Sequence, residues 1–390
     1  MRRAAIVAFT LALFVLYLMS TRVDAGTPFV LFLPYVPLQP SSTPTPTATA
    51  TNTPTPSAGQ FGYGMSLNDF DQVNVLKQTG FRYVKGYVSW ASLEMSPQQY
   101  SWGAVDSLMS VAAQSGLFLI LRVDTPPGWE TPGSGNRPPA NASDFGRFMG
   151  ALASHARGQI WAYEIWNEPN LSGEWGNQRP NPTAYAALLQ AAYPQIKAAD
   201  PGATVITAGL ATTGGDGGVT SMNDCDFIQG MYNAGAKGYF DALGSHPYGF
   251  GNSPTTKNSN GITDFRRPED QYAVMVANGD ANKTIVATEF GWLLDPTYYG
   301  HPEYLNDPLW SGRQWQIQSP ENQSAYLVQA YQYAFANWPW MGPMLLFNLD
   351  FSETCSCQPQ DPMRFYSIVN SNRSPRPAYS ALSQMAKPIR

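Results

Sequence analysis

Two glutamates have the residue type and setting to do chemistry. Glu168 lies in Glu164-Ile165-Trp166-Asn167-Glu168-Pro169-Asn170, and Glu289 in Thr288-Glu289-Phe290-Gly291-Trp292. Each ends a short apolar run rich in β-branched and aromatic residues, the pattern of a buried strand. A protonated carboxyl can give its proton to a departing oxygen, and an ionised one can attack or stabilise an electron-poor carbon. Two carboxyls sharing a low-dielectric pocket are driven apart in proton affinity by burial, mutual repulsion and nearby cations. Such a division of labour requires that the chain bring the two together.

The elements that would do so are legible along the chain. Strand-like runs occur at 61–66, 81–88, 117–124, 160–167, 204–210, 240–246, 284–290 and 343–349. Helical spacing appears between them. Leu67, Phe70, Val73 and Leu76 share one face, and Gly80 closes that helix; Val105, Leu108 and Ala112 repeat the pattern before Gly116. Further helices are expected at 142–156, 182–199, 224–234, 268–278, 320–337 and 377–386. Continuous apolar strands alternating with helices predict a parallel sheet covered by helices, and eight such units predict a (β/α)8 TIM barrel of the α/β class. A doubly wound open sheet is the rival, but no Gly-rich phosphate loop follows the first run. Barrel active sites sit where strands end. Strands four and seven lie on opposite sides of the ring, so Glu168 and Glu289 would face each other across its mouth. Two opposed carboxylates, one acid and one ionised, are what cleavage of a glycosidic bond needs.

Asn167-Glu168-Pro169 after strand four, with Glu289-Phe290-Gly291 after strand seven, resembles clan GH-A of the retaining glycoside hydrolases. The resemblance covers about 61–386. It implies that Glu168 is the acid/base, Glu289 the nucleophile, and Asn167 a partner of the sugar 2-hydroxyl. Retention implies a carboxyl separation of about 5–5.5 Å rather than 6.5–9.5 Å. In the clan, a Tyr at the end of strand six hydrogen-bonds the nucleophile and a His lines the pocket; Tyr248 and His246 match. Trp90, Glu94, Tyr100 and Trp102 match a structural stretch after strand two, with Glu94 supporting the loop. Two positions depart. Lys85 stands where the clan often keeps an Arg, with Arg122 as the alternative partner of the nucleophile. Phe347 stands where a Trp platform is common. Trp292 and Trp175 are the favoured sugar-stacking residues among several loop tryptophans, which also include Trp315. Glu130, Glu164 and Glu174 read as structural or solvated. The chemistry needs no metal or organic cofactor. The substrate implied is a β-linked oligo- or polysaccharide, with the β-xylosidase/α-L-iduronidase and cellulase groups as the nearest types. A non-catalytic glycan-binding barrel and a transglycosylase are the rivals; both carboxylates are present, which speaks against the first.

Composition agrees with a carbohydrate partner. Charged residues make up only 13% of the chain and aromatics another 13%, and sugar C–H faces stack on rings. A net charge of −5 argues against nucleic acid, which wants a basic patch. His155, His246 and His301 are scattered and no paired-cysteine motif occurs, so no metal site is expected. Cys355 and Cys357 could bond to Cys225 or to each other, or all three could be free. The loop at 293–319 holds five aromatics and is expected to wall one side of the cleft. Residues 1–25, with Arg2-Arg3, an apolar run and Val23-Asp24-Ala25, read as a signal peptide or a membrane anchor. Residues 26–59 combine an apolar piece with a Thr/Pro-rich spacer too poor in large apolar side chains to fold. Residues 60–390 form the expected barrel domain. The protein is thus expected outside the cytoplasm, released or tethered to the cell surface through its N-terminus.

Overall fold

The computed structural model describes residues 59–133, 136–258 and 262–390. The expected leader and all of the spacer but Gly59 lie outside the described residues. The eight strands are β1 (Gly62–Ser66), β2 (Tyr83–Ser89), β3 (Phe118–Asp124), β4 (Ala162–Ile165), β5 (Thr204–Thr207), β6 (Ala242–His246), β7 (Thr284–Phe290) and β8 (Met341–Leu346). They pair in parallel in the order β5-β4-β3-β2-β1-β8-β7-β6, and Ile206 of β5 opposite Ala242 of β6 closes the ring. This is the expected (β/α)8 barrel.

A helix follows each strand: α1 (Val73–Gln78), α2 (Gly103–Ser115), α3 (Ala142–His155), α4 (Pro182–Ala199), α5 (Asp224–Asn233), α6 (Pro268–Ala277), α7 (Pro320–Asn337) and α8 (Pro377–Gln384). Their starts follow from local chemistry. Asn141, Asn181 and Ser319 each accept from a backbone N–H of the first turn of α3, α4 and α7, and proline opens α4, α6, α7 and α8, where no helical N–H is lost. α3 packs tightly on α4 because Gly146 has no side chain; a Cβ there would meet the Ala191 carbonyl at 2.5 Å. Among the described residues, no helix is long and apolar enough to cross a membrane.

Most of the core lies between strands and helices. A smaller cluster comes from the strands themselves, with Tyr83, Ile120, Ala162, Ile206, Ala242, Val286 and Leu345 in contact. Strand residues alternate in direction with period two. One step along the same face therefore takes β2 from Tyr83 to Lys85, β3 from Ile120 to Arg122, and β4 from Ala162 to Glu164. Arg122 and Glu164 are register partners. The barrel interior thus changes from apolar to charged toward the C-terminal ends of the strands.

The sequence left three cysteine arrangements open. Cys355 joins Cys357, and Cys225, in the first turn of α5, is a free thiol. The loop at 293–319 is built of short 3-10 turns and a two-residue parallel pairing of Leu293–Leu294 with Ile317–Gln318.

Candidate active site

Glu289, at the end of β7, and Glu168, just beyond β4, both line one cleft of about 480 Å³ at the barrel mouth. The backbone bends sharply to present Glu168. Trp166 and Glu168 have φ of 78° and 38°, a left-handed region that costs L-residues energy and is often kept at working sites. The Glu168 N–H is held by the Gly209 carbonyl at 3.1 Å.

Glu289 is surrounded by donors. Lys85 Nζ lies 3.1 Å from Oε1, Arg122 Nη1 lies 3.6 Å from the same oxygen, and Tyr248 Oη donates to Oε2 at 2.9 Å. Burial favours its protonated form, but the charges of His246, Lys85 and Arg122 outweigh burial and hold the carboxyl down at about 2. Lys85 also bonds Glu164 at 2.8 Å. Glu164 is fully buried and accepts from the Gly209 N–H at 3.1 Å. Burial is outweighed there too, by Lys85 and His246, and the carboxyl stays far below the usual range. Tyr248 is pushed well above the usual phenol range by burial and by Glu289, so its hydroxyl remains a donor.

His246 spans the two glutamates. Its Nδ1 lies 2.7 Å from Glu168 Oε1 and 3.8 Å from Glu289 Oε2. Laid end to end, these distances limit that pair of carboxylate oxygens to a separation of roughly 6.5 Å, the lower edge of the range for inverting pairs. Burial disfavours the charged ring, but Glu289, Glu164 and Glu168 outweigh it and raise His246 to about 9. The ring is therefore an imidazolium at neutral pH.

Asn167 accepts from Arg122 Nη1 at 2.9 Å and lines the cleft. Arg122 itself rests on the Tyr87 ring, 4.7 Å from its centre. Phe347 lines the cleft as well, and its peptide bond to Asn348 is cis. The structure thus gathers Glu168, Glu289, Asn167, His246, Tyr248, Lys85, Arg122 and Phe347 in one place. Trp292 and Trp175 do not join them as sugar platforms. Both are fully buried: Trp292 packs against Phe265, Phe290 and Tyr326, and Trp175 lies edge-on to Trp166. Neither has a face to offer a ligand. Trp315 is 53% exposed and stacks on Phe250, which lines the cleft.

Several features went unread in the sequence. Glu174 is not merely solvated or structural. It lines the cleft and accepts from Asn136 at 3.0 Å, and burial raises its proton affinity. Tyr366 and Arg313 complete the wall. Glu94 supports its loop as expected, bonding Trp90 Nε1, the Gln98 N–H and Arg147. Glu130 holds the Asn141 N–H at 2.7 Å.

The family model described as cellulase (glycosyl hydrolase family 5) matches residues 42–297. The chain belongs to this family of glycoside hydrolases. No curated protein matches its sequence. Solved structures share its fold at low identity. A family 39 glycoside hydrolase from Bacteroides cellulosilyticus WH2 has a TM-score of 0.62 at 17% identity, over 83% of this chain and 63% of that one. A glucosidase from Croceicoccus marinus gives 0.61 at 14%, over 83% and 66%. Xylanase 10B from Thermotoga maritima gives 0.54 at 15%, over 83% and 94%. The chain thus spans just under two thirds of the first two.

Proposed function

We propose that this protein hydrolyses O-glycosidic bonds with retention, by double displacement. Glu289 Oε attacks the anomeric carbon as the bond to the leaving oxygen breaks, and Glu168 gives that oxygen its proton. Glu168 then takes a proton from water, the water oxygen bonds to the anomeric carbon, and Glu289 leaves. The observation that carries this reading is the shared imidazole, which limits one oxygen of each carboxylate to a separation of at most roughly 6.5 Å and so excludes all but the lower edge of the inverting range for that pair. Lys85, Arg122 and Tyr248 support it by keeping Glu289 ionised and its attacking oxygen oriented. His246 Nδ1, 2.7 Å from Glu168 Oε1, fixes the orientation of that carboxyl.

Asn167 is the expected partner of the sugar 2-hydroxyl, with Phe347 lining the same cleft. Trp315 replaces Trp292 and Trp175 as the tryptophan suited to stack on a sugar. The substrate we propose is an extracellular β-linked oligo- or polysaccharide, reached by export through residues 1–25, after which the enzyme is released or held at the cell surface. A 2-deoxy-2-fluoro glycoside tests the mechanism by trapping the glycosyl-enzyme. Peptide mapping is expected to find the label on Glu289; a label on another residue, or inverted product from a turned-over substrate, would overturn it.

A further inference from the structure

A second cavity, of about 340 Å³, lies behind one wall of the cleft. Two short segments form that wall. Phe351, Met363 and Tyr366 face the cleft, while Ser352, Arg364 and Phe365 face the second cavity. The cavity contains an electrostatic anomaly. Arg376 is only 5% exposed, and among the described residues no carboxylate pairs with it. Its Nε donates to Asn370 Oδ1 at 3.1 Å, its Nη1 to the Ser367 carbonyl at 2.6 Å, and its guanidinium lies over the Tyr299 ring at 4.4 Å. Arg364 beside it spends its donors on the carbonyls of Ser352, Cys355, Cys357 and Gln358. The chain has 28 acidic residues against 23 Lys and Arg, so carboxylates are not scarce, yet none lines this cavity; Glu303 sits on the lining residue His301 at 3.2 Å and does not pair with Arg376.

A buried cation without a counter-charge costs several kcal/mol. Desolvation brings Arg376 down to about 10, in keeping with its having no carboxylate partner among the described residues. A guanidinium offers a planar fork of donors that matches a carboxylate. The rest of the lining suits a sugar: Tyr299 and Tyr304 bring ring surfaces, and His301 stacks flat on Tyr304 at 4.5 Å. The volume is at the small end for ligand sites, enough for one ring rather than a chain.

We infer that this cavity binds the carboxylate of a single acidic sugar unit, with Arg376 as its charge partner, separately from the catalytic cleft. The choice of a sugar as the carrier rests on the glycosidase reading above; the anion site itself does not.

The test is thermal unfolding of the full chain carrying Glu289→Gln, so that neither turnover nor the catalytic carboxylate contributes. Methyl β-D-glucuronide at saturation is expected to raise the midpoint by about 3 °C, with methyl β-D-glucoside and sodium acetate at equal concentration leaving it unchanged. Arg376→Met should abolish the shift. Because that variant removes two buried hydrogen bonds, His301→Ala serves as the second probe and should reduce the shift in a stably folded protein. No shift with the glucuronide, an equal shift with the glucoside, or a shift untouched by both variants would overturn the site. An equal shift with acetate would overturn the acidic-sugar assignment. None of these outcomes touches the mechanism, which the covalent trap tests independently.

Discussion

Gly209 and His246 compete for the same space: a Cβ on Gly209 would stand 2.2 Å from the imidazole carbon and nitrogen, and 2.4 Å from Thr288 Oγ1. Gly209 also holds the Glu168 N–H with its carbonyl and Glu164 with its own N–H. One residue without a side chain therefore sets the position of three site groups. Gly209→Ala is expected to displace His246 and lower kcat about 10²-fold, the usual effect of a misplacement near 1 Å. Steady-state kinetics beside a melting curve would check it; full activity would show that the imidazole has room to move.

Lys85 neutralises two buried carboxylates, Glu164 and Glu289. Lys85→Met leaves both without that charge. The Glu289 carboxyl should then titrate well above its present value of about 2. Since the proposed mechanism needs Glu289 ionised, the acid limb of kcat/KM against pH should move to higher pH. The loss of stability should be about 3–5 kcal/mol, measured by urea unfolding. An unmoved acid limb in a folded variant would remove Lys85 from the electrostatics of Glu289.

Stability should fall on both sides of a plateau between roughly pH 5 and 6.5. His246 is raised from 6.5 to about 9, so its contribution is complete below 6.5 and is lost as pH rises through 9. The shift corresponds to about 3 kcal/mol. Glu289 is lowered from 4.5 to about 2, so its contribution is present above 4.5 and is lost as pH falls toward 2. Unfolding free energies across this range should show both slopes, and His246→Gln should flatten the alkaline one.

The tryptophans separate packing from binding. Trp292→Ala should cost about 3–5 kcal/mol, and Trp292→Phe, if folded, should keep its KM. Trp315→Ala should leave the melting temperature nearly unchanged and raise KM on oligosaccharides about tenfold, the equivalent of roughly 1.4 kcal/mol. A Trp315→Ala enzyme with normal KM on every substrate would rule out the stacking role.

Cys225 should resist alkylation in the native protein. Burial, followed by Asp224, pushes its thiol up to about 12, which leaves little thiolate to react. Iodoacetamide labelling at pH 8 is expected to be slow until denaturant is added. Rapid native labelling would mean that the first turn of α5 opens readily.

The sequence by itself determined the alternation of strands and helices. Apolar runs and helical spacing are local properties, and the barrel is the way to bury eight such runs in parallel. It also placed Glu168 and Glu289 at the barrel mouth, because each lies on or just beyond a strand end, while Asn167, His246, Tyr248, Lys85 and Arg122 were legible only through the resemblance to clan GH-A. The tertiary structure decided what depends on direction and neighbours. Trp292 and Trp315 look alike in a sequence, yet one is enclosed by Phe265 and Phe290 while the other lies open beside Phe250. Glu174 reaches the cleft through the turn after Glu168, and the partner of Cys355 was settled by proximity within its own loop. The state of Glu289 was beyond the sequence for the same reason: it arises from charges on β2, β3 and β6, more than forty residues away along the chain and within 4 Å in space.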